Sequence, residues 1–255
     1  MSLFRELLES LRNFIATIGA VTMFLGRTLA QLPRALTRPG LIIAQIHNAG
    51  AMSLVIIMTC GLFVGGVLGL TGYDLLLRFG SEDALGTAAA LALIKQLGPV
   101  VTALLFAGRA GTALASEIGL MRATDQLTAM EMMAVDPIRR VVVPRFLGGM
   151  ISLPLLTIIF IAIGIFGVQV VGVQQFGVDP ASFWSQMRAA VEISDIMEGV
   201  IKGTAFGFAC SLIAVYEGYN ATPTAEGVGR ATTRTVVISA VLVLIFNYML
   251  TAVML

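Results

Sequence analysis

The sequence contains few charged residues, and this scarcity excludes most soluble folds. Only 12% of its 255 residues are charged, whereas 57% are hydrophobic, and a soluble domain usually carries about twice that charge. Uncharged runs longer than about 18 residues indicate helices that span a membrane. The net charge of +1, without basic clusters interleaved with aromatics, gives no sign of a nucleic-acid partner. Composition therefore predicts an all-α integral membrane protein.

Residues that commonly carry catalysis or bind metals are also scarce. The one histidine, His47, has no companion at metal-ligand spacing, so we expect it at the surface or in the membrane interface. Cys60 and Cys210 lie in apolar runs, which favours small buried side chains over a disulfide or metal site. No HExxH, GxSxG or GxxxxGK[ST] motif is present. The sequence predicts no catalytic residue, no metal site and no ATP-binding loop.

The N-terminal region combines charges with apolar residues at helical spacing. The apolar positions are Phe4, Leu7, Leu8, Leu11 and Ile15. They lie opposite the charges between Arg5 and Arg12, which predicts an amphipathic helix in the membrane interface rather than a signal peptide. Packing of this helix on a partner is the alternative. Residues 1–47 are therefore assigned to N-terminal interfacial helices, and residues 48–255 to a five-span domain.

Five stretches are long and apolar enough to be the spans of this domain. They are residues 48–73, 84–107 and 146–178, a fourth stretch around Lys202, and residues 235–255. Only fourteen residues separate Lys202 from Glu217, too few to cross a core of ~30 Å. The fourth span must therefore include Lys202, and we expect it to include Asp195 and Glu198. The connection 174–188, with Asp179-Pro180 and Trp184, is predicted to be a loop with an interfacial anchor.

Arginines are distributed unequally between the two sets of connections. Twelve lie on the side of the N-terminus: Arg5, Arg12, Arg27, Arg34, Arg38, Arg109, Arg122, Arg139, Arg140, Arg145, Arg230 and Arg234. Only Arg78 and Arg188 lie on the other side. By the positive-inside rule the N-terminus is expected in the cytoplasm and the C-terminus on the other face of the membrane.

Glycines recur every fourth residue in the first and fourth spans. These ladders are Gly61, Gly65 and Gly69, and Gly199, Gly203 and Gly207. Such faces let helices approach closely. The contact could lie within one chain or between two copies.

Ionisable residues at membrane depth are expensive and usually functional. Lys95 lies in the second span, while Asp195, Glu198 and Lys202 share a face of the fourth. Lys95 could therefore meet Asp195 or Glu198 across the bundle. Two compatible interpretations follow, namely a polar rim that receives a charged headgroup and a structural ion pair between the two spans.

A polar, methionine-rich segment from Leu104 to Arg145 interrupts the membrane sequence. Ser116 and Glu117 can begin a helix there, and Asp136-Pro137 can end it. Its apolar residues are Ile118, Met121, Leu127, Met130, Met132 and Met133. An adaptable surface of this kind suits docking into a groove of a partner. The alternative is that it packs on the spans or lies along the membrane.

Three runs of the sequence resemble the MlaE-type permeases of bacterial ABC transporters, in particular those of the Mla phospholipid transporter of Gram-negative bacteria. They are LGPVVTALLFAGRAGTALASEIGLMRATDQLTAMEMMAVDPIRRVVVPRF (97–146), ISLPLLTIIF (151–160) and GVGRATTRTVV (227–237). The resemblance implies a homodimer in the inner membrane with an interfacial N-terminal helix and five spans. It also implies a cytoplasmic ABC ATPase dimer, a STAS-domain protein and a hexameric MCE-domain protein as partners. The chain itself would be no enzyme and hold no cofactor, because ATP and Mg would be bound by the ATPase.

The resemblance further implies movement of phospholipids between the inner membrane and periplasmic carriers, which maintains the lipid asymmetry of the outer membrane. The expected lipid-binding residues are Lys95, Gln96, Asp195, Glu198, Lys202, Leu68, Leu75, Leu76 and Phe79. Relatives have an Arg-Glu pair where this chain has Lys95-Gln96, so a carboxylate is missing and the bidentate fork of arginine is replaced by a point charge.

The methionine-rich segment would contain the coupling helix, at about residues 115–137. The expected ATPase-coupling residues are Glu117, Ile118, Gly119, Arg122, Asp125, Glu131 and Met132. Two alternatives remain from the residues themselves: a self-contained transporter in which buried charges relay protons, and the same family with another hydrophobic substrate such as a sterol. Dependence on an ATPase or on a proton gradient would separate the first alternative from the ABC permease.

Overall fold

The protein is helical throughout the residues that the computed structural model describes. These are residues 2–35 and 39–254, with side chains at all positions except 2–11, 13, 14, 34 and 35. No strand occurs within these ranges, which confirms the all-α membrane fold. The predicted apolar face of Phe4, Leu7, Leu8 and Leu11 lies outside the described side chains.

Eleven α-helices follow one another in the described residues, joined by short connections. They are α1 Ser2–Ala35, α2 Pro39–Ala49, α3 Leu54–Leu77, α4 Leu85–Ala92, α5 Gly98–Phe106, α6 Thr112–Ala123, α7 Gln126–Met132, α8 Val143–Gln169, α9 Pro180–Ala190, α10 Ile193–Tyr219 and α11 Ala225–Met254. π-Helical segments at Leu93–Leu97 and Ala107–Gly111 join α4, α5 and α6 into one continuous rod. Two more, Ile138–Val142 and Val170–Gln175, extend α8 at both ends.

Within residues 2–35 and 39–254, six helical stretches are long and apolar enough to cross a membrane. They are Ile15–Pro33, Pro39–Leu77, Glu82–Ala123, Ile138–Gln175, Ile193–Tyr219 and Ala225–Met254. The last five correspond to the five predicted spans, although the third ends at Gln175 rather than at residue 178, and the fourth of these includes Asp195, Glu198 and Lys202 as expected. Length and composition add Ile15–Pro33, in which Arg27 is the only charged residue. The sequence instead predicts this stretch to belong to the interfacial helices of residues 1–47.

The successive spans define two ends of the bundle. The connections α6–α8 and α10–α11 lie at what is called here the arginine-rich end, and α3–α4 and α8–α10 lie at the opposite end. At this opposite end the predicted loop 174–188 is wrong in part, because residues 180–190 form α9. The Asp179 carboxylate accepts a hydrogen bond from the Ser182 amide at 2.7 Å, and Pro180 occupies the first turn. Asp179-Pro180 is thus a helix start.

Both glycine ladders are contacts within one chain. A Cβ at Gly61 would lie 3.0 Å from the Phe160 carbonyl oxygen of α8. A Cβ at Gly199 would lie 2.9 Å from the Ile94 carbonyl oxygen, and one at Gly207 would lie 3.0 Å from that of Met150. Close approach through these glycines places α8 between α3 and α10. Both glycine ladders therefore allow close helix packing within one chain.

Candidate functional site

Four ionisable side chains meet between α10 and the π segment Leu93–Leu97, and they are called here the charge quartet. Lys95 Nζ lies 2.7 Å from an Asp195 carboxylate oxygen and 3.7 Å from one of Glu198. Lys202 Nζ lies 2.7 Å from the other Glu198 oxygen. The contact expected between Lys95 and the fourth span is therefore present. With two cations and two anions, the quartet has no net charge.

The backbone around the quartet explains why these side chains can be held at membrane depth. Lys202 is fully buried, and its ammonium also donates to the Lys95 carbonyl oxygen at 2.8 Å. That carbonyl lies in a π segment, where the regular ladder of helix hydrogen bonds is interrupted and an acceptor becomes accessible to a side chain. Asp195 additionally accepts from the Glu192 amide at 3.0 Å as part of the capping box that begins α10.

Exposure differs sharply within the quartet. The Lys95 side chain is 39% exposed, whereas those of Asp195 and Glu198 are 12% and 13% exposed and that of Lys202 is 0%. The Lys202 ammonium is fully buried and already donates to Glu198 and to the Lys95 carbonyl oxygen, so an incoming ligand does not reach it. Lys95 is the only member that can contact an incoming anionic group while its own ion pairs remain intact.

Gln96 points to a different neighbour from Lys95. Its side-chain amide donates to the Thr251 hydroxyl at 3.3 Å, and its carbonyl oxygen accepts from the Asn247 amide at 3.1 Å. Both partners belong to α11. We call these three residues the α11 clasp. Asn247 and Thr251 were missed from the sequence, although an asparagine inside an apolar span is a recognisable signal.

The four apolar residues expected to contact lipid are only partly brought together. Leu68 and Leu75 line a groove of about 260 Å³ between α3 and α4. Leu76 is half-buried against the core instead, and Phe79 is exposed just beyond the end of α3. None of the quartet lines this groove. The role of all four residues in lipid binding stays a prediction.

The methionine-rich segment is not the single helix predicted from Ser116 to Asp136. Helix α6 continues unbroken from the second span through Glu117 to Ala123, because no glycine turn or proline interrupts it, and the Ser116 hydroxyl donates to the Ala113 carbonyl inside the helix. The chain then breaks at Asp125, whose φ of 57° is left-handed. After this break α7 provides two turns and ends at Met132.

Burial divides the predicted apolar surface of this segment into two parts. Ile118 and Leu127 are buried in the core of the arginine-rich end, and a Cβ at Gly119 would meet Val228 of α11 at 3.3 Å. In contrast, Met132 is 84% exposed and Met133 is 68% exposed. The surface available to a partner therefore includes Met132 and Met133 but not Ile118, Gly119 or Leu127, which corrects the surface predicted from sequence.

The charged residues of the segment also have distinct positions. Arg122 donates to the Tyr219 carbonyl oxygen at 2.6 Å and so caps the end of α10. The Glu117 carboxylate accepts from Arg145 at 3.2 Å. Asp125 and Glu131 are exposed. Arg122 and Glu117 thus tie α6 to α10 and α8, and Glu131 lies on the accessible part of α7.

Arg109 makes a further polar contact, which was not predicted from the sequence. Its guanidinium donates to the Asn48 carbonyl oxygen at 2.9 Å and to the Ser53 hydroxyl at 3.2 Å, at the junction of α2 and α3. His47 is exposed near this junction, as expected. Among the described residues no group of three or more His, Cys, Asp or Glu side chains could hold a metal ion.

Comparison with known proteins places this arrangement in a family. Residues 42–253 match the family described as Permease MlaE, a range that includes the quartet, the α11 clasp and α7. The chain belongs to the MlaE permease family. It is 51% identical over 243 residues to the intermembrane phospholipid transport system permease protein MlaE of Haemophilus influenzae, covering 95% of this chain and 93% of the relative.

The chain is also similar to proteins of other organisms. A probable ABC transporter permease protein of Rickettsia prowazekii is 36% identical over 239 residues, covering 94% of this chain and 92% of the relative. The chloroplastic protein TRIGALACTOSYLDIACYLGLYCEROL 1 of Arabidopsis thaliana is 29% identical over 208 residues, covering 82% of this chain and 59% of the relative. The MlaE match begins within α2, so α1 precedes it.

Proposed function

We propose that this chain is the membrane permease subunit of an ABC transporter that moves phospholipids between the inner membrane and periplasmic carriers, and so maintains outer-membrane lipid asymmetry. The observation that carries the proposal is the 51% identity, over 95% of the chain, to a protein named as a permease of an intermembrane phospholipid transport system. The Rickettsia relative, named as a probable ABC transporter permease, supports an ATP-driven assembly.

A homodimer would turn the α3–α4 groove into a lipid cavity. The outward face of α3 is strongly apolar, with Phe63 67% exposed and Val67 58% exposed. These two residues line a neighbouring groove that shares Leu68 with the α3–α4 groove. A second copy packed here would enclose acyl chains, each methylene of which gains about 0.8 kcal/mol on burial. Lys95, half-exposed between the groove and α10, would supply a positive charge for a phosphate.

The exposed part of α7 is the proposed seat of the ATPase. Glu131 and Met132 at the end of α7 and Met133 directly after it are exposed, and Arg122 at the end of α6 donates to the carbonyl end of α10. The other end of α10 carries the quartet. A displacement of α6 and α7 by ATP-driven closure of the partner would therefore move α10 as a rigid helix and reshape the cavity. In this proposal ATP and Mg belong to the ATPase dimer.

The remaining partners and the orientation complete the proposal. The excess of arginine at one end supports a cytoplasmic position for that end, with the N-terminus and α7. The C-terminus and α9 then face the periplasm. A small STAS-domain protein would bind on the cytoplasmic side with the ATPase, and a hexameric MCE-domain protein would receive lipid at the periplasmic end.

The function is tested by co-expressing the chain with its genomic neighbours and measuring the extracted complex by native mass spectrometry. A permease dimer with an ATPase dimer and bound phospholipid is expected. Transfer of fluorescent phospholipid from reconstituted vesicles to the MCE-domain protein should require ATP hydrolysis. Transfer driven by a proton gradient without an ATPase would contradict the proposal in favour of a proton-coupled transporter. Bound sterol in place of phospholipid would contradict the substrate.

Docking on α7 gives a more local prediction. Met132→Arg places a charge on the exposed apolar surface, so the ATPase should dissociate or lose coupling while the permease stays folded. We expect at least a tenfold loss of ATP-dependent transfer, which corresponds to about 1.4 kcal/mol of lost coupling. Met132→Leu keeps the apolar surface and serves as the control. Glu117→Arg is a poorer test, because it would face Arg145 and disturb the fold. Full activity of Met132→Arg would remove α7 from the coupling mechanism.

A further inference from the structure

A second cavity, separate from the α3–α4 groove, lies between α8, α9, α10, the end of α4 and the π segment that follows α4. Its volume is about 390 Å³. The walls include Ile158, Ile161 and Ile165 from α8, Ile196 and Val200 from α10, and Met187 from α9. No residue of the charge quartet lines it. It is therefore a distinct apolar site.

The size and opening of this cavity suit one hydrocarbon chain. Small-molecule pockets usually measure roughly 300–1,000 Å³, so this one lies at the lower end and does not hold a complete two-chain lipid. Ile158 and Ile196 of its wall are 47% and 50% exposed, and both lie on membrane-spanning helices. The cavity thus opens sideways, toward the hydrocarbon of the surrounding bilayer, rather than into the centre of the bundle.

A single cation stands at the polar edge of the cavity. Arg188, near the end of α9, lines it and is exposed. Arg78, the other arginine of this end, is paired with Asp74 at 2.9 Å. The Arg188 side chain has no hydrogen bond or ion pair with any part of the chain that the structure describes. The nearest acid in sequence, Glu192, is engaged in the α10 cap and with the Ser194 hydroxyl at 3.1 Å.

We propose that this cavity binds a phospholipid of the surrounding leaflet, with one acyl chain between α8 and α10 and the phosphate on Arg188. Arginine matches a phosphate with a two-pronged set of donors, and an apolar cavity beneath a free cation has the charge pattern of an anionic headgroup above its chain. The inference rests on the proposed function in taking phospholipid as the substrate.

The position of the cavity gives it a role in loading. Ile94, which lines it, is adjacent in sequence to Lys95, and Gly199, which also lines it, is adjacent to Glu198. The wall between the cavity and the charge quartet is thus one close helix contact, in which Gly199 meets the Ile94 carbonyl. A lipid held at this lateral site waits beside the helices that carry the quartet, on the membrane side of the bundle.

The test uses the full chain reconstituted in vesicles that contain a phosphatidylglycerol with a diazirine in one acyl chain. After illumination, mass spectrometry maps the labelled peptides, and the peptide that contains residues 158–165 should be labelled. Ala162→Trp, which fills the opening, should reduce this labelling at least fivefold. Leu155→Trp is the matched control, because Leu155 is also exposed on α8 but does not line the cavity.

The charge is tested separately. Arg188→Gln should reduce labelling by phosphatidylglycerol to the level given by a diacylglycerol that carries the same diazirine and has no phosphate. Arg78→Gln should leave labelling unchanged, because that arginine is already paired. A fatty acid also combines an anionic group with one hydrocarbon chain, so a fatty acid that carries the same diazirine tests the alternative occupant. Labelling of 158–165 by this fatty acid at or above the phospholipid level would overturn phospholipid as the occupant.

Labelling that is equal in Ala162→Trp and Leu155→Trp, or indifferent to Arg188→Gln, would overturn the site itself. ATP-dependent lipid transfer by the wild-type complex, measured in parallel, separates this result from the proposed function. Transfer without labelling at 158–165 rejects only the lateral site. Labelling without ATP-dependent transfer rejects the transport function and leaves a lipid-binding site.

Discussion

Helices α10 and α11 are consecutive in sequence, packed against each other and similar in length, at 27 and 30 residues, yet they place charge in opposite ways. Helix α10 carries Asp195, Glu198, Lys202 and Glu217, and 67% of its membrane stretch is buried inside the protein. Helix α11 has no charged residue after Arg234, and 11% of its membrane stretch is buried.

The difference shows which physical rule governs the bundle. Lipid cannot solvate a charge, so an ionisable residue in a span must meet a partner inside the protein. The more polar helix is therefore enclosed by α8, α6 and the α4–α5 rod, and the more apolar helix is left at the periphery. Of these two helices, the one with more charged residues in its span is the more buried. In a water-soluble fold the buried residues are mostly the apolar ones.

Loss of one quartet charge is expected to break this relationship most severely. Lys202→Met would leave Glu198 with only the Lys95 contact at 3.7 Å, and the Lys95 carbonyl would lose its donor. Removal of one partner of a buried ion pair usually costs about 3–5 kcal/mol, so the free energy of unfolding in detergent should fall by that amount. Tyr248→Met on α11, at a 77% exposed position, should change it little.

A double substitution sharpens the test of the quartet. Lys202→Met combined with Glu198→Gln removes one cation and one anion. The double variant should therefore have a larger free energy of unfolding than Lys202→Met alone. A loss below about 1 kcal/mol for the single substitution, the range of exposed ion pairs, would show that the quartet is more hydrated than its burial indicates.

Glycine replacement compares the packing of the two helices at intermediate cost. A Cβ at Gly199 on α10 would lie 2.9 Å from the Ile94 carbonyl oxygen, whereas nothing lies within 4 Å of a Cβ at Gly229 on α11. Gly199→Ala should therefore destabilise the protein by about 1–3 kcal/mol through overpacking. Gly229→Ala should stabilise it by about 0.5–1 kcal/mol, because alanine favours the helix. Thermal unfolding of both variants measures the contrast, and equal shifts would contradict it.

The α11 clasp should give the smallest effect. Asn247→Leu removes the hydrogen bond to Gln96, and a hydrogen bond between membrane helices is worth about 0.6 kcal/mol on average. The same change also removes the buried Asn247 carbonyl oxygen, which has no partner among the described residues and offsets part of the loss. Unfolding should therefore shift by less than about 1 kcal/mol, and Tyr248→Leu is the neighbouring control. A larger loss would mean that the clasp contributes more to the attachment of α11 than an average hydrogen bond between membrane helices.

Several features of the site were predictable from the sequence, because they follow from the energetic cost of placing a charged residue inside a bilayer. A bilayer of fixed thickness required Lys202 to lie in a span, and Lys95 at membrane depth was expected to meet Asp195 or Glu198 across the bundle. The structure contains both. Helix α9 was also predictable in principle, because Asp179-Pro180 is a typical helix start, although it was interpreted as a loop. The continuation of α6 through Ser116 is consistent with the absence of proline between Pro99 and Asp125, and Gly119 lies inside the helix rather than at its end.

The sequence by itself determined the five apolar spans that follow residue 47, the membrane environment and the resemblance to a family, because the length of apolar runs, the spacing of charges and sequence motifs are properties of neighbouring residues. Only the tertiary structure decided that Gly61 and Gly199 pack within one chain, that Ile118 is buried while Met132 is exposed, and that Lys202 bonds to the Lys95 carbonyl. Each of these depends on which helices meet and at what rotation. That choice is made by the packing of distant segments against one another, which hydrophobic periodicity along a single helix does not encode.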